Sequence, residues 1–445
     1  MTSAASVHFH APAGHIIGRH DGAVLRATGI RYARAVRFQL PVAELPATAP
    51  IQATSPAPAC PQVADSLLAP ALGSLFAGMT YDEDCLRLSV TRPAEQYPDE
   101  QLPVIVWVHG GSYVTGAGDL AVYDPGTLVA EQRVVFVAVT YRLGLLGFLG
   151  QEGGTPPNLG LLDLLEALRW VQRNISAFGG HPEMVTMFGQ SAGADAIAHL
   201  MVAEGAQGLF KRVILHSAPL GLSRNRRAMS QAMAQAAGTF GPTATIDEVL
   251  ARESTVTQAA RRFGLKSGMP FGTQYGAHPL PHEADMDTSW RAAASRVDVL
   301  IGATAEETRF FAVLDPKYRR LLSLPLVGRL LSRPLVAISS RLVYLKATKA
   351  FARRHAQAGG RAYHFSVLFR PPGSEFGAAH TIDLPLLLGT QASWSFAPIL
   401  GRATWEQVQE AGRQVRQLWA DFARTGVLPS QVEIPGVLRL RQVKE

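Results

Sequence analysis

The sequence predicts an α/β fold: a mostly parallel, twisted central sheet with helices on both faces, preceded by a small antiparallel meander and carrying a helical lid region. Three features of the text point there. Nearly all-apolar, β-prone runs recur at 103–108, 134–139, 185–188 and 212–215, as strands buried on both faces should read. Helical text lies between them, as at 159–175, where Leu161, Leu164, Leu165, Leu168 and Val171 share one face. The third is the stretch 177–194, AFGGHPEMVTMFGQSAGA. In it a strand runs into Gly189-Gln190-Ser191-Ala192-Gly193 and out into an Ala- and Leu-rich helix. A sharp strand-to-helix turn of this kind lifts the Ser191 hydroxyl out of the sheet and places the positive end of a helix beneath it. Bulky flanking side chains would block the turn, so glycines stand on both sides.

Composition narrows the rest. Hydrophobic residues make up 47% of the 445 and charged residues 17%, which gives a large core and excludes a disordered chain. Lys and Arg exceed Asp and Glu by 42 − 35 = 7, with a pI near 9.6. No recognition motif or Lys/Arg tract accompanies that excess, so a solvated basic surface is expected and no nucleic-acid partner. Two cysteines, Cys60 and Cys85, exclude a disulfide-stapled scaffold and a thiolate-rich metal site. The first residues lack a basic head followed by an apolar run, and the longest apolar text, LLSLPLVGRLLSRPLVAI, is broken by Arg329, Arg333 and two prolines. A cytoplasmic protein is the expectation.

In order, 13–38 reads as the meander, and 41–80, rich in Pro and Ala, as an irregular wrap. Residues 84–90 alternate as a strand. The run at 103–108 ends in His109-Gly110-Gly111-Ser112-Tyr113, a turn placed where backbone N–H groups would face a ligand. That at 134–139 ends in Tyr141-Arg142-Leu143-Gly144, and that at 212–215 closes on His216-Ser217. Residues 225–262 turn polar and helical, as a cap would, and 297–301 is another buried strand. From 316 to 374 there is no acidic residue, while Lys317, Arg319, Arg320, Arg329, Arg333, Arg341, Lys346, Lys349, Arg353 and Arg354 alternate with aliphatic residues. Such a segment ordinarily packs its apolar face and solvates the other; the alternative is a lid resting on an anionic lipid surface. A strand at 361–365 and a long helix at 405–424 finish the chain. No repeat or linker divides it, so residues 1–445 read as one domain with lid-like segments at about 225–290 and 315–355.

A serine hydroxyl needs a general base. His380, in the small-residue loop Phe376-Gly377-Ala378-Ala379-His380, follows the nucleophile and is free to face it, whereas His364 reads as a strand residue and His199 and His355 as helical. The orienting acid should follow a strand end between the two, which leaves Glu306 and Glu307 tied after 299–302. His278, His282, Glu283 and Asp285 match no standard metal spacing, so no metal is expected.

These residues resemble the type-B carboxylesterases, whose animal relatives include the cholinesterases. The likeness runs from Gly29-Ile30-Arg31-Tyr32-Ala33 to the His380 loop and is densest in YRLGLLGF (141–148), NLGLLDLLEALRWVQRNISAFGG (158–180) and the FGQSAGA turn, with Glu83-Asp84-Cys85-Leu86 as a second signature. The resemblance implies an α/β-hydrolase fold and hydrolysis of carboxylic esters through an acyl-enzyme, without cofactor. It implies Ser191, Glu307 and His380 as the catalytic triad, and the amides of Gly111, Ser112 and Ala192 as the oxyanion hole. Gln190 and Ser217 fall beside that machinery. Arg142 with Asp163, and Arg37 with Glu83, fall where the family has buried ion pairs. Cys60 and Cys85 match a bonded pair of the family; a bond would close a loop of about 25 residues and contribute roughly 3 kcal/mol, though a reducing cytosol disfavours it.

The chain departs from the pattern at five places, one of them the segment 32–38, which is shortened and lacks the family's Pro-Pro. Gln190 stands where the family has Glu, Ser112 where it has a third Gly, Thr308 where a Gly follows the acid, and Asp383 where it carries Glu. Two other functions stay open: a lipase or thioesterase working at a membrane, suggested by the basic segment, and a non-catalytic binding protein of the kind used in cell adhesion.

Overall fold

The structure, a computed structural model, describes residues 5–63, 68–95, 97, 100–150, 154–240, 243–316, 320 and 327–444. Three strands open it as an antiparallel meander: β1 (Ser6–Ala11), β2 (Gly14–Asp21) and β3 (Val24–Arg31). The meander thus begins seven residues before the expected Ala13, because Val7 and Phe9 alternate with polar residues and pair with β2. The irregular wrap that follows holds only short pairings, β4 (Ala33–Arg34) with β5 (Val42–Ala43), and β6 (Ile51–Gln52) beside β2. β7 (Arg87–Pro93) starts later than its alternating text suggested: Asp84 is drawn aside to pair with Arg31 and Arg87.

The centre is parallel. β8 (Leu102–Val108), β9 (Val135–Val139), β10 (Gly180–Gln190), β11 (Arg212–His216), β12 (Asp298–Thr304) and β13 (Ala362–Val367) lie in the order β9-β8-β10-β11-β12-β13. Every neighbour in that series runs parallel. β14 (Gln431–Ile434) and β15 (Leu438–Val443) close the far edge antiparallel, and β7 joins the meander to β9.

Alternation along the strands makes two cores. Val104, Val106 and Val108 of β8 face one, Ile105 and Trp107 the other; Val299 and Ile301 of β12 oppose Leu300 in the same way. Helix Leu159–Asn174 and helix Ala192–Leu200 cover the first face. Helix Trp405–Thr425, capped by Thr404 and Gln407, covers the second with Val415, Trp419 and Phe422. A cap of helices, Arg227–Ala237 and Ile246–Ala260, stands over the first core. Among the described residues, no helix is long and apolar enough to cross a membrane. Residues 317–319 and 321–326, including Lys317 and Arg319 of the basic segment, lie outside the described residues.

Two implied pairings come out differently. Cys60 and Cys85 are free, fully buried thiols, not a disulfide. They are neighbours, and the Cys60 contact together with burial pushes the Cys85 thiol well up, which disfavours the thiolate that would start a disulfide exchange. Arg37 does meet Glu83, but both side chains are about a quarter to a third exposed, so the pair is not buried. Arg142 and Asp163 form the buried one, two-pronged at 2.6 and 2.8 Å.

Candidate active site

β8, β10, β11 and β12 end on the same side of the sheet, and the residues singled out above gather beyond those ends. β10 stops at Gln190, Ser191 takes φ 57° and ψ −126°, and the helix begins at Ala192. That backbone is unfavourable for a residue with a Cβ, at about 1–3 kcal/mol. Packing enforces it. A Cβ on Gly193 would lie 2.1 Å from the Val108 carbonyl oxygen, and one on Gly189 2.7 Å from the Gly193 carbonyl carbon, so only glycine lets strand and helix fold back this closely. The Ser191 amide donates to the His216 carbonyl at 2.8 Å, which ties the turn to β11.

The turn after β8 lies against the same point. A Cβ on Gly110 would be 3.0 Å from that of Ser191. Gly111 has φ 104° and Ser112 φ 55°. Ser112 therefore occupies the left-handed region at a cost of about 1–2 kcal/mol. Among the described residues, the Gly111 and Ser112 amides have no protein acceptor, and Ala192 opens a helix whose first amides have none within it. Tyr113 fixes this turn to the helix: its hydroxyl donates to Asp195 at 2.7 Å, and Ser223 donates to the other oxygen at 2.5 Å. His109 is buried with its pKa pushed down to about 4 by desolvation, so it stays neutral beside the turn.

After β12 the two glutamates separate. Glu307 is fully buried and accepts from the Thr304 amide at 2.6 Å, from Ser217 Oγ at 2.5 Å and from His380 Nδ1 at 2.5 Å. Glu306 turns outward to Arg309 and Arg370 and accepts from the Ala378 amide at 3.0 Å. Its pKa is lowered: burial, the largest effect, opposes the shift, but the Ala378 amide and the two guanidiniums prevail. Backbone bonds from Glu306 N to Ala378 O and from His380 N to Glu307 O zip the His380 loop to this turn.

His380 Nε2 faces Gln190 Nε2 at 3.1 Å and forms no hydrogen bond with the Ser191 hydroxyl. Because Nδ1 donates to Glu307, Nε2 carries the lone pair, and the Gln190 amide donates to it. The Tyr344 and Phe311 rings lie tilted beside the imidazole, with centroids 5.3 and 5.5 Å away.

Three features were not read from the sequence. Asp383 does not serve His380; it meets Nδ1 of buried His216, whose Nε2 accepts from Trp419 at 2.8 Å, pinning the last long helix beside the Ser191 turn. Thr308 binds the helix Val327–Ser340 through Ser339, Ser340 and the Val336 carbonyl. Tyr344 roofs the histidine. Only the Asp and Trp contacts had any local signal, a carboxylate at the head of an apolar segment and an indole on a helix face. Among the described residues, no cluster of His, Cys, Asp and Glu is arranged to hold a metal.

Residues 5–323 match the model of the carboxylesterase family. The chain is 36% identical to a probable N-octanoylanthranilate hydrolase, AqdA2, of Rhodococcus erythropolis, over 94% of this chain and 92% of that one. It is 29% identical to the para-nitrobenzyl esterase of Bacillus subtilis, over 93% and 88% of the two chains. Among solved structures it resembles a thermophilic PNB esterase with a TM-score of 0.79 and 28% identity, over 96% of this chain and 93% of that one.

Proposed function

The chain belongs to the carboxylesterase family, and from that premise we propose that Ser191, His380 and Glu307 carry out its chemistry. It is a serine hydrolase of carboxylic esters with the α/β-hydrolase fold, acting on a small-molecule ester; a lipase or thioesterase role is not favoured by these relatives. The observation that carries the residue assignment is the convergence at one sheet end of a strained serine turn, free turn amides and a histidine already bonded to a buried carboxylate.

Ser191 Oγ attacks the ester carbonyl while His380 Nε2 takes its proton. Glu307 accepts from Nδ1, holding the tautomer, and stabilises the imidazolium that forms, while hydrogen bonds from Ser217 and the Thr304 amide keep Glu307 aimed. The amides of Gly111, Ser112 and Ala192 receive the negative oxygen of the tetrahedral intermediate. Its collapse expels the alcohol, protonated by His380; water then attacks the acyl-enzyme by the same route. Gln190 must first release Nε2, a rearrangement in keeping with the looser hydrogen bonds of an empty site.

The two cores share one continuous sheet, which supports treating the chain as a single domain. The testing experiment is labelling with a fluorophosphonate, read by mass spectrometry. Stoichiometric modification of Ser191, lost in Ser191→Ala and His380→Ala, is expected; a folded wild type that takes no label overturns the assignment. The name of the AqdA2 relative assigns an N-octanoyl amide to that protein, so the substrate series should pair nitrophenyl esters with anilides up to that chain length.

A further inference from the structure

The helical run over the acid turn has two unlike faces. It continues from helix Val327–Ser340 through a single π-turn, Arg341–Leu345, into helix Lys346–Gln357. Its inner face is packed: Ser340, Val343, Tyr344 and Phe351 are buried. Its outer face exposes three large aliphatic side chains at three- and four-residue spacing, Leu335, Ile338 and Leu342, at 44, 57 and 49%. The same spacing continues into exposed cations, Lys346, Lys349 and Arg353, with Arg341 beside them. Among the described residues, none of these four pairs with a carboxylate.

Two surface concavities, of about 620 and 490 Å³, share Lys349 and Arg353. Arg341 and Lys346 are the other cations of the first, which Ala337, Leu345 and Ala350 also line; Arg439 and Arg441 of β15 line the second, with Arg439 also paired to Glu433. Neither is lined by an acidic residue. The basic segment therefore packs one face, as its sequence suggested, yet leaves an apolar stripe and a cationic field side by side on the other.

We propose that this outer face docks on an anionic phospholipid surface. Leu335, Ile338 and Leu342 enter the boundary between headgroups and acyl chains, and Arg341, Lys346, Lys349 and Arg353 meet the anionic headgroups, with the two concavities as headgroup seats. Charge complementarity selects this occupant. A second copy of the chain would bring the same unpaired cations face to face, and a nucleic acid would leave the aliphatic stripe without a partner. Docking is separate from the choice of ester, because none of these side chains belongs to the catalytic group.

Co-sedimentation with vesicles tests it, using phosphatidylcholine alone and phosphatidylcholine mixed with phosphatidylglycerol, at low and high salt. The wild type is expected to bind the mixed vesicles only, and less as salt rises. Leu335→Ser/Ile338→Ser/Leu342→Ser should abolish binding, and Lys346→Gln/Lys349→Gln/Arg353→Gln should weaken it about a hundredfold. Both variants should hydrolyse a soluble nitrophenyl ester as the wild type does, which establishes that they are folded. No binding to the mixed vesicles, equal binding to both kinds, or binding unchanged in both variants overturns the proposal. So does a concentration-dependent dimer that the aliphatic triple variant dissolves while vesicles bind nothing.

Discussion

At the floor of the site, between β8, β10 and the helix after Ser191, backbone approaches backbone: added Cβ atoms at Gly193 and Gly110 would lie 2.1 and 2.7 Å from the Val108 and Gln190 carbonyl oxygens. Over the roof, helix Val327–Ser340 reaches the body through the hydroxyls of Thr308, Ser339 and Ser340, and the π-turn lays Tyr344 on His380. The floor is fixed by sterics that no side-chain choice can relax. The roof is fixed by a few side-chain contacts, each worth about 1 kcal/mol. Strained, precise geometry belongs to the first and adjustable closure to the second.

The acid turn is where floor and roof meet, and substitution there should have the largest effect. Glu307→Gln is expected to lower kcat about ten-thousandfold, by losing the carboxylate that holds the imidazole tautomer. Glu306→Gln, whose partners are two partly exposed arginines and one amide, should cost less than about tenfold. Steady-state kinetics on a nitrophenyl ester separates them; similar losses would mean that the loop zipper, not the Glu307–His380 bond, does the positioning. Next comes the floor itself. Gly193→Ala should destabilise the fold by more than about 3 kcal/mol and abolish labelling of Ser191, measured by urea unfolding and mass spectrometry. A stable, labelled variant would break the contrast.

The cap joins the body in the roof's manner. Glu253 of helix Ile246–Ala260 is buried, accepts only the Leu145 amide at 3.2 Å among the described residues, and has its pKa pushed up to about 7 by desolvation. Below about pH 4.5 the carboxyl is protonated folded or unfolded and contributes no pH dependence. Between 4.5 and 7 the unfolded chain ionises first, so stability falls as pH rises, and above 7 the full penalty applies. Glu253→Gln keeps the acceptor without the charge. Its stability advantage over wild type in urea unfolding should be absent below about pH 4.5, grow to pH 7 and level off, at roughly 3 kcal/mol. An advantage that does not change with pH would place the effect in packing instead.

How much of this was readable in advance follows the same division. The floor was legible because its geometry demands particular residues at particular spacings: apolar runs for two-faced strands, Gly189 and Gly193 around Ser191, the Gly-Gly turn after β8. Local rules left Glu306 and Glu307 level, since the difference lies in which carboxylate turns inward toward a loop more than 70 residues on. Resemblance pointed to Glu307, and it is the Glu307 carboxylate that meets His380 Nδ1. Resemblance also matched Cys60 and Cys85 to a bonded pair without deciding whether they bond here; both are free, buried thiols. The roof was least legible. The sequence showed a basic amphipathic segment, but which aliphatic residues face outward depends on where the π-turn shifts the helix phase.

Thr308 offers the finest test of the contrast, since it stands where the family pattern has glycine and replaces an absent side chain with the roof's main anchor. Its hydroxyl donates to the Val336 carbonyl at 3.0 Å and shares hydrogen bonds with Ser339 and Ser340 at 2.7 and 2.9 Å, while its amide donates to Ser340. Thr308→Val keeps the shape and the amide and removes only the hydroxyl. If the roof is a local unit held by side chains, the loss is about 1 kcal/mol. It should then appear as roughly fivefold faster hydrogen exchange confined to helix Val327–Ser340, with the amides of β10 and β12 unchanged. Faster exchange spreading into β12 would mean that roof and floor open together, and the division between them would fail.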